Sequence, residues 1–311
     1  MCLSFTKRVC RVVSAQSPFN TALAIRSRLA PTPSGFLHIG NIFNFVLARL
    51  ETDRLGGTLL LRIDDADSSR VRESYTEDVF TTLNQLGLRY DEGAKNITDF
   101  KSNYSQFLRK KHYDTLLDKL ARSGFLFACN CSRSDLLKNP EHTVCKQQSV
   151  AEFTNGYAWR LNTESAGIVT VNDYQSGLHP VGVHVATPYP VMRKKDGFAA
   201  YTVCSLSDDV NYGINLIVRG LDLMSQTALQ LYVAKLCGIS SFADTRFFHH
   251  RLLSDAAGNK LSKSAGAQGV SLMSSLSPAQ IFSFISAELG LENSLTYAEL
   301  KTNYMNVHGS V

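Results

Sequence analysis

Arg28-Leu29-Ala30-Pro31-Thr32-Pro33-Ser34-Gly35-Phe36-Leu37-His38-Ile39-Gly40-Asn41 is the stretch on which the fold turns. Two prolines fix φ and a glycine frees it, so the segment reads as a tight, rigid turn. An apolar run follows at once in Ile42, Phe43, Phe45, Val46, Leu47 and Leu50, spaced for a buried helix. His38-Ile39-Gly40-Asn41 therefore stands at a loop-to-helix junction, where unpaired N–H groups and the helix dipole attract an anion. A histidine there can donate to phosphate oxygens. Gly40, with no side chain, lets a flat base come close to the backbone. An ordinary strand–turn–helix connection has the same local pattern, so the chemistry must be read from the rest of the chain.

Gly56-Gly57 breaks the chain before Thr58-Leu59-Leu60-Leu61-Arg62-Ile63, a continuous apolar run that reads as a buried parallel strand. Strand, helix and strand make a βαβ unit. That strand releases Asp64, Asp65, Asp67, Ser68, Ser69 and Arg70 at its carboxyl end, where open α/β sheets bind ligands. Asp64 and Arg62 are candidates for gripping a charged small molecule. Helices are expected over about 73–86 and about 104–123, each stopped by a glycine. Residues 157–191 alternate apolar and polar side chains and read as a strand-bearing insertion. A helix is expected from about Phe198 toward Ser207, broken by Asp208-Asp209 and Gly213. Ile214 to Val218 is then a second buried strand, ending in Arg219-Gly220-Leu221-Asp222.

Cys129-Asn130-Cys131, with His142 and Cys145 downstream, has the character of a structural zinc site. Two pairs of ligands can close on one tetrahedral ion and staple a segment with little core of its own. Glu141 or His142 can be the fourth ligand; neutral imidazole is the commoner partner of thiolates. Near the end, Lys260-Leu261-Ser262-Lys263-Ser264 sets two lysines three apart among small residues. Such a loop can neutralise charge that grows during phosphoryl displacement. A last helix starts at Ser277-Pro278.

The 311 residues can hold one large domain or two modest ones, and 44% apolar content is that of a globular protein. No apolar run approaches the roughly 18–20 residues of a membrane span. A net charge of +5 permits a polyanionic partner. Seven cysteines, an odd number, argue for a reducing compartment and hence the cytoplasm. The first 27 residues hold Lys7, Arg8, Arg11 and Arg26 but no acid before Glu51. That composition also suits an organelle transit peptide, a bacterial extension, or a start codon placed too far upstream.

Four blocks together carry a family resemblance. Arg28 to Asn41 resembles the HIGH region of class I aminoacyl-tRNA synthetases in its glutamyl form, and Lys260 to Ser264 resembles their KMSKS loop. Between them, Arg62-Ile63-Asp64-Asp65-Ala66-Asp67 and Ile217-Val218-Arg219-Gly220-Leu221-Asp222-Leu223 resemble two further family blocks, in the family's order. The resemblance implies an α/β fold, a Rossmann-like doubly wound parallel sheet with a small insertion. It divides the chain into a basic extension over 1–25, a catalytic domain over 26–270 and a short helical extension over 271–311. The insertion would cover about 101–192, with the zinc-binding segment at 129–145.

Fewer than 50 residues follow Lys263, which leaves little room for an anticodon-binding domain. A truncated form with Cys-x-Cys at this place is similar to the glutamyl-Q tRNA(Asp) synthetase family. That resemblance implies activation of L-glutamate by ATP with Mg²⁺, and transfer to queuosine in tRNA(Asp) by a monomer. It makes His38, Lys260 and Lys263 catalytic, and His38, Gly40, Asn41 and Lys263 ATP-binding. Arg28, Leu29, Ala30, Pro31, Thr32, Asp64, Tyr201 and Arg219 would form the glutamate site, and Cys129, Cys131, His142 and Cys145 the metal site. The alternatives are a truncated glutamyl-tRNA synthetase charging tRNA(Glu), and a non-catalytic synthetase-like module that binds RNA or a partner. Three positions depart from the family: Asp64 replaces glutamate, Asn41 replaces histidine, and Glu141 stands at the offset of a tyrosine ligand.

Overall fold

A computed structural model describes residues 24–138, 140–142, 144–152, 155–253 and 271–309. Most of the expected extension over 1–25, and the whole lysine loop, lie outside them. Strand β1 (Arg26–Leu29) leads through the proline turn into helix α1 (Ile39–Arg54), and β2 (Thr58–Leu61) returns parallel to β1. Helix α2 (Glu73–Gln85) precedes β3 (Glu92–Gly93), which pairs in parallel with β2. Helix α3 (Lys110–Arg122) turns Tyr113, Leu116, Leu117 and Leu120 inward, the spacing of one helical face.

Next come β4 (Leu126–Cys129), the short helix α4 (Arg133–Lys138), β5 (Ala158–Leu161), β6 (Ile168–Asp173), β7 (Gly177–Gly182) and β8 (Val191–Arg193). Helix α5 (Tyr201–Asn211), β9 (Leu216–Gly220), α6 (Met224–Leu236) and β10 (Arg246–His250) complete the α/β body. Helices α7 (Pro278–Leu289) and α8 (Tyr297–His308) follow.

Strands β9 and β10 are parallel, β10 runs parallel to β6, and β7 adds antiparallel at the edge. The two halves of the main sheet meet at β1 and β9. There Asn215 donates its N–H to Arg26 O at 2.9 Å, and its side-chain oxygen accepts from Arg26 N at 2.8 Å. The spatial order is thus β3-β2-β1-β9-β10-β6-β7. Chain order reverses between β1 and β9, so the ligand crevice of a doubly wound sheet belongs outside their carboxyl ends. A separate antiparallel sheet runs β4-β5-β8.

The central strands β1, β2 and β9 are buried on both faces, which explains the unbroken apolar runs. Leu59 and Leu61 join the core on the face of α1, α7 and α8, while Leu60 joins the core with α3, α5 and α6. Leu216, Ile217 and Val218 alternate in the same way, as a pleated strand requires.

Two expectations need correction. Asp208 and Asp209 do not break a helix; α5 runs on to Asn211 and buries both carboxylates completely. Arginines from other elements compensate them, as described below. The helix expected over 104–123 starts instead at Lys110. Ser105 and Gln106 before it are held at 2.6 and 2.7 Å by the Asp65 carboxylate, which fixes tight helical turns in place of an α-helix. Strands β6 and β7, inside the 157–191 stretch, belong to the main sheet.

Helix α8 docks on α1 through polar groups. Glu51 is wholly buried and takes hydrogen bonds from Tyr304 of α8, from Tyr174 after β6, and from Arg54 at 2.9 Å. Asp53 receives Tyr297 at 2.9 Å and Lys301 at 2.8 Å. Replacing Glu51 by alanine strands a half-buried guanidinium and two buried hydroxyls. Urea unfolding of Glu51→Ala should show a loss of about 3–5 kcal/mol, and an unchanged midpoint would contradict this role.

Candidate active site

His38 is the N-cap of α1. Its Nδ1 accepts from Gly40 N at 3.1 Å, and its own N–H donates to the Asn41 side-chain oxygen at 3.1 Å, which closes a capping box. With Nδ1 accepting, a neutral ring carries its hydrogen on Nε2 as a donor. A Cβ on Gly40 would stand 3.0 Å from the His38 ring, so the bare Cα is what lets the ring lie over the first turn. Asn41 spends its oxygen on the cap and keeps its amide hydrogens. No acidic side chain occupies the first turn of α1, which preserves its attraction for an anion.

The crevice at the reversal holds a cavity of roughly 550 Å³. Arg28, Ala30, Pro31, Thr32, His38, Gly40, Asn41, Tyr201 and Arg219 all line it, so it gathers most of the residues singled out from sequence. Leu29 and Asp64 do not reach it. Leu29 is fully buried in the core, and Asp64 is gripped by Arg62 at 2.7 and 3.0 Å. Lys260 and Lys263 lie outside the described residues.

Asn44, His250 and Asp222 also line the cavity. Asn44 donates to His250 Nε2 at 3.0 Å, and His250 Nδ1 donates to Arg251 O at 2.8 Å. Burial holds His250 below the usual histidine range and keeps it in that neutral tautomer. Asp222 packs so closely on Gly220 that a Cβ there would come within 2.6 Å of its carboxylate.

Beneath the cavity lies a buried ionic network. Asp209 accepts from Arg28 at 3.0 Å and Arg62 at 2.6 Å. Asp208 accepts from both ends of the Arg109 fork at 2.8 Å, from Tyr113 at 2.9 Å and from Gln106 at 2.9 Å. Burial opposes the ionisation of Asp209, but Arg62, Arg28 and Arg219 outweigh it and hold its pKa below the ordinary value.

Arg28, Arg62, Arg109 and Arg219 thus face Asp64, Asp65, Asp208 and Asp209, four charges against four. Arg219 is the guanidinium left without an ion pair. Only 3% exposed, it has no carboxylate partner among the described residues. Its Nη1 donates to Gln230 at 2.9 Å and Thr227 at 3.3 Å, while its Nε and Nη2 are buried without a partner. Those two atoms form one edge of the guanidinium, the edge that matches a carboxylate in a bidentate pair. Burial pushes the Arg219 pKa down to about 10, with the Arg28 and Arg62 charges acting the same way and Tyr201 and Asp209 opposing.

A second cluster sits in the small sheet. Cys129 ends β4, Cys145 opens a helical turn, and Cys131 and His142 lie between them in sequence. Cys129 Sγ and His142 Nδ1 are 3.5 Å apart, Cys131 and Cys145 Sγ are 3.3 Å apart, and all four atoms lie within 4.8 Å of one another. His142 takes the left-handed φ of 51° to reach the group, a conformation costly for a side chain of its size. Its ring packs against Phe127 and Tyr189. Glu141 turns away and accepts from the Tyr189 hydroxyl at 3.1 Å. The four side chains could hold a metal ion.

Residues 24–275 match the model of the class I tRNA synthetases (E and Q), catalytic domain. The chain belongs to this family. It is 34% identical over 256 residues to the glutamyl-Q tRNA(Asp) synthetase of Nitratidesulfovibrio vulgaris, covering 77% of this chain and 78% of that protein. A relative of the same name from Synechococcus sp. (strain CC9605) is 34% identical over 261 residues, covering 84% and 80%. Among solved structures, the glutamate-tRNA synthetase of Elizabethkingia anophelis superimposes with a TM-score of 0.72 at 20% identity. The match covers 90% of this chain and 66% of that one, so the chain spans about two thirds of that larger synthetase. At this identity the likeness establishes the fold. Among the described residues no helix is long and apolar enough to cross a membrane.

The unpaired Arg219 has a measurable consequence for stability. Arg219→Met removes a buried charge that has no ion-pair partner among the described residues, so thermal unfolding of the ligand-free variant should occur at or above the wild-type temperature. A melting temperature several degrees lower would show that Arg219 is paired in the free protein.

Proposed function

We propose that this protein activates L-glutamate with ATP and transfers the glutamyl group to queuosine in tRNA(Asp). The vacant Nε/Nη2 edge of Arg219 carries the substrate assignment. It offers a buried bidentate site, without a hydrogen-bond partner among the described residues, that suits the side-chain carboxylate of glutamate and rejects a neutral amide left with unmatched donors. Arg28, Ala30, Thr32 and Tyr201 shape the remainder of the pocket. Asp64 acts at one remove, by holding Arg62 in the network that fixes Arg28.

The α-carboxylate of glutamate attacks the α-phosphorus of ATP. A phosphorus–oxygen bond forms to the carboxylate, the bond to the β-phosphate breaks, and pyrophosphate leaves with the electron pair. No covalent enzyme intermediate is required, so catalysis rests on positioning and charge. His38 Nε2–H and the Asn41 amide meet phosphate oxygens at the N-terminus of α1, and Gly40 lets the nucleotide lie near the backbone. Lys260 and Lys263 neutralise charge that develops on the phosphates, a task shared with Mg²⁺.

We read residues 26–270 as the catalytic unit, about 101–192 as its insertion, and 271–311 as an extension seated on α1. We assign zinc to Cys129, Cys131, His142 and Cys145. The grouping of all four ligand atoms within 4.8 Å supports this, because tetrahedral zinc–sulfur and zinc–nitrogen bonds of about 2.0–2.3 Å put neighbouring ligands roughly 3.5–3.8 Å apart, close to the 3.5 Å between Cys129 Sγ and His142 Nδ1. We place the reaction in the cytoplasm, where thiols stay reduced.

Glutamate-dependent ATP–pyrophosphate exchange should proceed without tRNA. Labelled glutamate should then remain with the anticodon-arm fragment of queuosine-containing tRNA(Asp) after nuclease digestion. Absence of exchange with and without tRNA would refute the enzyme assignment, and label on the 3′ end of tRNA(Glu) would refute the acceptor. Protein purified without chelator should contain about one zinc per chain, and Cys145→Ser should lower that content. A zinc content near zero in the wild type would reject the metal site.

A further inference from the structure

Arg219 can present its Nε/Nη2 edge only if Nη1 is held elsewhere, and what holds it reaches across the sheet. Two oxygens meet Nη1: Gln230 Oε1 at 2.9 Å and Thr227 Oγ1 at 3.3 Å, both on α6. They occupy its two hydrogens and leave that nitrogen none for a ligand.

Thr227 has one hydroxyl hydrogen and two acceptors in reach, Leu223 O at 3.1 Å and His249 Nε2 at 2.7 Å. If the hydrogen turns to the helix carbonyl, the hydroxyl becomes a back-bonded threonine with no tie to the sheet. Which acceptor wins depends on the histidine tautomer. His249 Nδ1 lies 2.9 Å from Asp173 Oδ2, with both side chains fully buried. Asp173 is an obligate acceptor there. It also takes the His249 backbone N–H at 2.6 Å and the N–H groups of Gln175 and Ser176 at 3.0 and 2.8 Å.

With Nδ1–H committed to Asp173, neutral His249 presents a lone pair at Nε2. Burial and the nearby Arg219 cation favour that neutral form. The Thr227 hydrogen goes to the nearer acceptor, and its oxygen lone pairs are left for Arg219.

We propose that Asp173, His249 and Thr227 form a buried relay that positions Arg219, setting the orientation of its substrate-facing edge from the last residue of β6. None of the three lines the cavity, so they act through Arg219. The relay explains why β6 matters to a site two strands away: its last residue sets the tautomer on β10 that orients a hydroxyl on α6. The inference rests on the reading of Arg219 as the glutamate-binding residue.

The test is exchange kinetics of the full chain, with glutamate and ATP varied separately. Thr227→Val keeps the shape and deletes the hydroxyl. It should raise the KM for glutamate about tenfold, the effect of one lost hydrogen bond to a charged group, and leave the KM for ATP within about twofold. Thr227→Ser, which restores the hydroxyl, should recover most of the loss. His249→Asn keeps a donor toward Asp173 but loses the acceptor for Thr227, and should shift glutamate KM in the same direction. Equal changes in both KM values, a fall in kcat alone, or no change in either variant would overturn the relay. A wild-type protein without glutamate-dependent exchange would overturn the reading of Arg219 and the relay together, and it would do so before any variant is compared.

Discussion

One guanidinium without an ion pair among the described residues, buried where strand order reverses, organises the centre of this molecule. A guanidinium taken out of water without a counter-ion is costly unless something completes it. Arg28 and Arg62 meet that requirement by sharing Asp209, and Arg109 meets it through Asp208. Among the described residues, Arg219 hydrogen-bonds only to neutral partners. In the network beneath, Asp209 Oδ1 takes both Arg28 and Arg62, and Asp208 takes Arg109, Tyr113 and Gln106.

The other end of the same crevice has the opposite construction. There the attraction for an anion comes from backbone dipoles and one imidazole, with no fixed charge in the first turn of α1. A fixed cation suits a carboxylate whose charge does not change during reaction. A helix N-terminus with a neutral histidine suits phosphate oxygens whose charge is redistributed as a bond breaks. The strand reversal places both within one cavity, which is what joining an amino acid to a nucleotide demands.

Features that depend on local periodicity were legible in the sequence. The alternation of Leu59, Leu60 and Leu61 between two cores follows from the pleat, and the His38 cap follows from the proline turn before an apolar helix. Cys129, Cys131, His142 and Cys145 form one cluster because their short spacings limit how far apart the loop can carry them. What sequence did not reveal was partnership at a distance. Asp208 and Asp209 resemble a helix stop when read alone, yet their partners Arg109 and Arg62 are 99 and 147 residues away. Asp64 reads as a ligand-gripping acid for the same reason, although Arg62 already holds it. His249 and His250 are adjacent and chemically identical, and only the pleat sends one to Asp173 and the other to Asn44.

The decisive quantity is how strongly the vacant edge of Arg219 prefers a charged ligand over its neutral isostere. Calorimetric titration of the wild-type protein with L-glutamate and with L-glutamine measures it directly. Glutamate should bind on the order of 100-fold more tightly, a difference of about 2.7 kcal/mol typical of a desolvated bidentate ion pair. Equal affinities for the two amino acids would contradict the assignment of Arg219 as the receptor for the substrate's carboxylate.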